Sequence, residues 1–258
     1  MDNRITALFA QKQSDILSVF FTAGYPGLDD TLPILKALEQ NGVDLVEIGV
    51  PFSDPIADGG TIQQSSNAAL ENGMSLEKLF EQLNGFRAQV NIPVILMGYL
   101  NPIVQYGVER FCEKAAAIGV DGVILPDLPI ELYEEQYKAL FEKYQLSNIL
   151  LITPQTAPHR IEMIDQNTEG FIYMVSSNSI TGKTSGISEG QVAYFNRINS
   201  MGLRNPRLIG FGISDQNSFE TACQYASGAI IGSAFIRALE AGSDPVSATA
   251  EFVKGIKA

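Results

Sequence analysis

The sequence predicts an α/β fold, a single-domain (β/α)8 TIM barrel spanning 1–258, and three observations predict it. Eight short apolar, β-branched runs alternate with longer stretches of helical period. Their near-continuous Val, Ile and Leu content suits parallel strands covered on both faces. No Pro/Ser-rich linker or shift in composition divides the 258 residues, a length normal for one barrel. An open doubly wound sheet normally carries a Gly-rich dinucleotide loop after its first strand. Here that turn reads Thr22-Ala23-Gly24-Tyr25-Pro26-Gly27, which does not fit G-x-G-x-x-G.

In chain order, an extra helix around Arg4–Gln11 precedes the first strand. The strands fall at Ser18–Ala23, Asp44–Val50, Pro93–Gly98, Gly122–Pro126, Asn148–Thr153, Gly170–Val175, Arg207–Phe211 and Ala229–Gly232. Helical periodicity covers Asp29–Gln40, Ser75–Gln89, Val108–Ala117, Ile130–Tyr144, Pro158–Asn167, Glu189–Met201, Gln216–Tyr225 and Pro245–Ile256. Ser75, Asp215 and Asp244 have the chemistry of N-caps, and Gly42, Gly119, Gly170 and Gly228 that of helix stops. Further helices are expected in the loops after strands two and eight, at Thr61–Leu70 and from Gly232-Ser233-Ala234-Phe235 towards Gly242. Two connections are long, Pro51 to about Asn72 and Ser176 to Ser188, the second expected to move without ligand. In a barrel both lie on the C-terminal face, where active sites are built.

Composition narrows the function. Charged residues sum to −12, with no basic cluster, which argues against nucleic-acid binding. No apolar run reaches the ~18 residues of a membrane span. Met1-Asp2-Asn3-Arg4 lacks the layout of a signal peptide, so a cytoplasmic protein is expected. Cys112 and Cys223 read as buried thiols, and a lone His159 excludes a His-rich metal site.

Glu47 interrupts the apolar strand Asp44-Leu45-Val46-Glu47-Ile48-Gly49-Val50. Alternation puts Val46, Ile48 and Val50 under helices and Leu45, Glu47 and Gly49 in the barrel. A carboxyl held there has a raised pKa and serves as a general acid/base; the competing reading is a salt bridge to an interior Lys or Arg. Only Arg207 begins a strand and no strand carries a Lys. Asp58, eleven residues on in Pro51-Phe52-Ser53-Asp54-Pro55-Ile56-Ala57-Asp58-Gly59-Gly60, can fold back over the mouth as a second carboxylate. Asp127, in Leu125-Pro126-Asp127-Leu128-Pro129, reads rather as a helix cap. Three Gly-containing turns at successive strand ends suit a phosphate: Ile180-Thr181-Gly182-Lys183-Thr184-Ser185-Gly186, Gly210-Phe211-Gly212-Ile213-Ser214 and Gly232-Ser233-Ala234. A Schiff-base aldolase needs an interior Lys and a metal aldolase more ligands than one His. What remains is carboxylate chemistry on a phosphorylated substrate.

The run Asp44-Leu45-Val46-Glu47-Ile48-Gly49-Val50-Pro51-Phe52-Ser53-Asp54-Pro55-Ile56-Ala57-Asp58-Gly59 resembles the signature of the tryptophan synthase α subunit family. Phe20-Phe21-Thr22-Ala23-Gly24-Tyr25-Pro26, Leu125-Pro126-Asp127-Leu128-Pro129, Gly210-Phe211-Gly212-Ile213 and Gly232-Ser233-Ala234 match in order, so the resemblance spans nearly the whole chain. It implies a lyase of amino-acid biosynthesis that cleaves indole-3-glycerol phosphate to indole and glyceraldehyde 3-phosphate. By the resemblance, Glu47 would protonate the indole ring at C3 and then handle the glycerol hydroxyl proton, while Asp58 would hold the indole N–H. Phe20, Leu125, Tyr173 and Phe211 would line the substrate pocket; Thr181, Gly182, Gly212, Gly232 and Ser233 would surround the phosphate. The implied partner is a tryptophan synthase β subunit in an α2β2 complex, which would carry the pyridoxal phosphate; no cofactor is expected in this chain. The sequence departs from the family pattern at Ser177, in place of Arg, at Ser179, in place of Gly, and at Gly60, where Pro is frequent. Another phosphate-binding barrel enzyme and a non-catalytic activating subunit are the alternatives.

Overall fold

A computed structural model of the chain describes residues 3–176, 188–210 and 212–258. Its strands are β1 (Ile16–Thr22), β2 (Leu45–Gly49), β3 (Val94–Met97), β4 (Gly122–Ile124), β5 (Ser147–Ile149), β6 (Leu151–Ile152), β7 (Ile172–Val175), β8 (Arg207–Gly210) and β9 (Gly228–Ile231). Every pairing is parallel, in the spatial order β5-β4-β3-β2-β1-β9-β8-β7-β6. The two ends of that order, β5 and β6, are separated in the chain only by Leu150. The ring therefore closes through the backbone, giving a (β/α)8 barrel whose fifth strand, expected unbroken over Asn148–Thr153, is interrupted at Leu150.

Alternation sorts the strand residues into two layers. Ile16, Leu45, Ile95, Ile124, Ile149, Tyr173, Leu208 and Ile230 form an interior cluster. Leu17, Val19, Val46, Ile48, Val123 and Ile209 belong to the larger core beneath the helices. The N-terminal end is closed by the helix Arg4–Gln11, which places Ile5 at 0 % exposure against the interior cluster. Burial of that side chain contributes ~1.5–3 kcal/mol. Its N-cap, Asn3, accepts from the Ile5 and Thr6 amides. The same side chain donates to Asp121 O and Ser147 Oγ, fastening the helix across the strand ends.

The helices match the periodicity except where local chemistry adds or breaks a turn. The expected helix Ser75–Gln89 stops at Gln82, and Gly85, at φ 76°, redirects the chain into a short 3-10 turn, Phe86–Ala88. The helix Leu100–Tyr106, unforeseen in the sequence, starts on a cap supplied by Asp127. Ile130–Tyr144 is divided by a π-helical stretch, Tyr133–Tyr137, an extra residue per turn to which periodicity is blind. Gly228 is not a helix stop: it opens β9, where a Cβ would overlap the Ile16 carbonyl of the paired strand. Helices do form after the second and eighth expected strands, at Gly60–Glu71 and Ser233–Ala241. Cys112 is buried as expected, but Cys223 is partly exposed; both are free thiols. His159 is exposed in the first turn of Pro158–Asn167. Among the described residues no helix is long and apolar enough to cross a membrane, and no cluster of three His, Cys, Asp or Glu side chains is placed to hold a metal.

Candidate active site

The C-terminal ends of β1, β2 and β3 surround a small cleft lined by Phe20, Gly49, Asp58, Ile62, Met97 and Tyr99 among others. Glu47 lies one inward-facing position below Gly49, in register with Phe20 on β1 and Ile95 on β3. Its side chain is fully buried. Ser18 Oγ donates to Glu47 Oε1 at 2.9 Å, and Oε2 has no partner among the described residues. No described Lys or Arg forms a salt bridge with Glu47. Desolvation therefore dominates and pushes the Glu47 carboxyl up to about 8, the Ser18 hydrogen bond opposing it. Of the two readings open in the sequence, the buried unpaired acid is the one the fold builds.

Asp58 arrives from the loop that leaves β2. The following helix, Gly60–Glu71, is docked on the barrel by a buried 2.6 Å hydrogen bond between Ser65 Oγ and Thr22 Oγ1 at the end of β1. Gln63 Nε2 donates back to Asp58 O at 2.9 Å, which fastens the loop to its own helix. Tyr99 then clamps the turn from the other side. Its hydroxyl donates to Asp58 Oδ2 at 3.0 Å and accepts from the Ala57 amide at 3.0 Å, while its ring stacks near Phe52 at 5.2 Å. Burial raises the Asp58 carboxyl to about 6, the Tyr99 hydrogen bond opposing it; Asp58 is less completely buried than Glu47. Asp58 thus lines the cleft while Glu47 lies buried one inward position below Gly49, two carboxyls in unlike surroundings with different pKa values, the arrangement that divides acid from base.

Phe20 lies across the mouth in the space that Gly49 leaves open; a Cβ on Gly49 would come within 2.5 Å of the Phe20 ring. Tyr173, on β7, is buried in the interior and packs over Gly210, where a Cβ would overlap its hydroxyl. Desolvation, together with Glu47 and Asp58, holds that phenol well above its ordinary pKa, so Tyr173 stays neutral. Leu125 is buried in the same core cluster as Phe20, and its neighbour Pro126 lines the cleft. Asp127 caps a helix, but not the one that follows it: both its oxygens accept from the Leu100 amide, at 2.9 and 3.1 Å.

Gly232 is the N-cap of Ser233–Ala241, and a Cβ on it would meet Phe20 at 3.4 Å. That helix start therefore lies beside the mouth, close to the ring of Phe20. Gly212, at φ 81°, takes a left-handed conformation just past β8. Thr181, Gly182, Ser177, Ser179 and Phe211 lie outside the described residues, as does most of the Ser176–Ser188 loop. Tyr99 and Ser18 went unnoticed in the sequence. Tyr99 carried the signal of a polar residue just beyond a barrel strand, and Ser18 that of a hydroxyl among inward-facing apolar positions.

Comparison with known proteins bears on the family and the fold. Residues 7–256 match the family model described as tryptophan synthase alpha chain. The chain is 56 % identical over 256 residues to the tryptophan synthase alpha chain of Flavobacterium johnsoniae, covering 99 % of this chain and 100 % of that one. It is also 56 % identical to that of Christiangramia forsetii, with 96 % of each chain covered. The crystal structure of tryptophan synthase subunit alpha from Legionella pneumophila superposes with a TM-score of 0.89 at 32 % identity, covering 100 % of this chain and 98 % of that one. A chain of the tryptophan synthase complex from Pyrococcus furiosus gives 0.86 at 32 % identity, covering 95 % and 99 %.

Proposed function

This chain belongs to the tryptophan synthase alpha chain family, and from that membership and the two unlike carboxyls at the barrel mouth we infer how it works. It is a carbon–carbon lyase of tryptophan biosynthesis, cleaving indole-3-glycerol phosphate by a retro-aldol step to indole and glyceraldehyde 3-phosphate. The whole chain is read as one catalytic barrel.

The step needs a proton delivered to indole C3, charge stabilisation at the ring nitrogen, and removal of the proton on the glycerol hydroxyl next to the breaking bond. Glu47, neutral below about 8, supplies the first. Once C3 is protonated, positive charge spreads onto the indole nitrogen, and Asp58, ionised above about 6, accepts that N–H as a carboxylate. Glu47, now an anion, takes the hydroxyl proton. The C–C bond breaks, its electron pair returns to the ring, and an aldehyde forms on the departing fragment. One proton is given and one regained, so the reaction balances without water or redox equivalents.

Phe20 and Tyr173 form apolar walls for the ring, with Leu125 and Phe211 assigned beside them. The phosphate is assigned to the amides at Gly212, Gly232 and Ser233, with Thr181 and Gly182 contributing from the loop after β7. The partner is read as a β subunit in an α2β2 assembly that holds pyridoxal phosphate, with the pair working in the cytoplasm. The observation that carries the reading is the fully buried Glu47 carboxyl, held by Ser18 and in no salt bridge among the described residues, at the barrel end where Tyr99 tethers Asp58. Indole release from indole-3-glycerol phosphate, measured with and without a β subunit, tests it. Activation of the β subunit by a chain that releases no indole would favour the non-catalytic alternative.

A further inference from the structure

We propose that Ser18 is a positioning residue for Glu47: its hydroxyl fixes the carboxyl's orientation and leaves the transferable proton on Oε2. The inference rests on the lyase reading above and names which oxygen of Glu47 reacts.

Ser18 sits on β1 in the interior of the barrel, flanked in register by Leu45 on β2 and Ile230 on β9. Its own strand neighbours on that face are Ile16 and Phe20. The layer is otherwise apolar, and Ser18 is 0 % exposed. A hydroxyl buried there without a partner costs ~1–3 kcal/mol, and an aliphatic side chain would fill the layer better. The hydroxyl is instead matched to Glu47 Oε1 at 2.9 Å, one inward position nearer the mouth.

That single contact has two consequences. With Oε1 accepting from Ser18, a neutral Glu47 carries its proton on Oε2, the oxygen with no partner among the described residues. A carboxylic acid free to turn presents its proton in several directions; one anchored through Oε1 presents it in one. The hydrogen bond also favours the anion that Glu47 becomes after C3 is protonated, so Ser18 restrains the rise in pKa that burial imposes. Around Glu47, β1 contributes Ser18 and Phe20, and β3 contributes Ile95 in register. On β7 stands the neutral phenol of Tyr173, itself within electrostatic reach of both Glu47 and Asp58. Ser18 is the one hydroxyl among the described residues with a hydrogen bond to the Glu47 carboxyl.

The test is the pH profile of indole release by Ser18→Ala, Ser18→Cys and Ser18→Thr. Removing the donor lets the Glu47 pKa climb, so the upper limb of kcat in Ser18→Ala should move to higher pH by about one unit. The lower limb, set by Asp58, should stay in place. Turnover should fall several-fold while KM changes less than twofold, because the substrate contacts remain. Ser18→Thr keeps the hydroxyl and should return the upper limb to its original position, with Ser18→Cys, a weak donor, in between. An upper limb that coincides in all three variants overturns the proposal, whatever happens to turnover. If Ser18→Ala does not fold, the Cys and Thr profiles decide in the same way. If the unmodified chain releases no indole, the lyase reading fails separately. The 13C carboxyl titration of Glu47 in labelled protein then tests Ser18, and an unshifted titration in Ser18→Ala and Ser18→Cys overturns it.

Discussion

Glu47 keeps a proton near neutrality because burial disfavours its anion and no cation among the described residues pairs with it. The working range of the enzyme should therefore lie between two ionisations, with Asp58 deprotonated above about 6 and Glu47 protonated below about 8. A bell-shaped profile of turnover with those limbs is expected, and a profile flat across that interval would sink the division of roles. Glu47→Gln should cost ~10²-fold or more in turnover while substrate still binds, and Asp58→Asn should also lower turnover, since an amide cannot stabilise developing indolium charge. The same burial links Glu47 to stability. Its folded pKa is raised from 4.5 to about 8, so between those values the folded chain holds a proton that the unfolded chain releases. Stability from this group is complete below the unfolded value and is lost as pH rises through the folded one. Thermal melts should show Tm of the unmodified chain falling over that window more steeply than Tm of Glu47→Gln; equal slopes would mean the carboxyl is not neutral in the fold. At this scale the sequence was legible where a residue broke its own pattern. A charge inside an apolar strand is conspicuous, but a Ser is not. Tyr99 matters only because the chain brings it to Asp58 from 41 residues away, a distance no local pattern reports.

The elements that carry these residues were legible to the extent that hydrophobic period and cap chemistry are local. β2 and the helix Pro158–Asn167 fall where alternation and capping put them. The division of Ile130–Tyr144 and the interruption at Leu150 do not, because each reflects how neighbouring elements pack rather than the residues' own preferences. The helix Gly60–Glu71 offers a direct test of local chemistry. Gly60 occupies its first position, where Pro is well suited: the N–H there is already without a helical partner and the φ is preset. Gly59 before it is extended, at φ −74° and ψ 162°, as a residue preceding Pro should be. Open space surrounds the Gly60 Cβ position. Gly60→Pro should thus stabilise by ~0.4–1 kcal/mol and raise Tm by ~1–4 °C, with Asp58 held more firmly. A lower Tm would show that the loop needs the freedom Gly provides. Gly212→Val and Gly232→Val should instead weaken substrate affinity with the fold kept, by placing branched side chains where we assign the phosphate. Loss of the circular dichroism spectrum in both would make these glycines structural.

For the whole molecule the question is what controls an active site that is already assembled. The loop bearing Asp58 also bears Ile56, which is 84 % exposed, the most exposed large apolar side chain among the described residues. A single residue, Ala57, separates that carboxylate from the exposed Ile56, so covering Ile56 acts on the backbone that positions Asp58. Among the described residues, the hydrogen bonds that tie that turn to its surroundings come from Tyr99, through Ala57 and Asp58, and from Gln63, through Asp58 O and at 3.5 Å Pro55 O. Such a loop has few contacts to hold it closed, and a partner that buries Ile56 shifts its population toward the geometry in which Asp58 faces substrate. Burying an isoleucine contributes ~1.5–3 kcal/mol, enough to move a loosely held loop most of the way from open to closed. The isolated chain should therefore be a slow lyase and its complex with the β subunit a faster one. Ile56→Ser should leave turnover of the isolated chain within twofold, since its side chain touches no catalytic group, yet weaken assembly and reduce the stimulation. Titrating a β subunit into both proteins while following indole release separates the two effects. Equal stimulation of Ile56→Ser and the unmodified chain would remove Ile56 from the coupling, and no stimulation of either would remove the coupling itself.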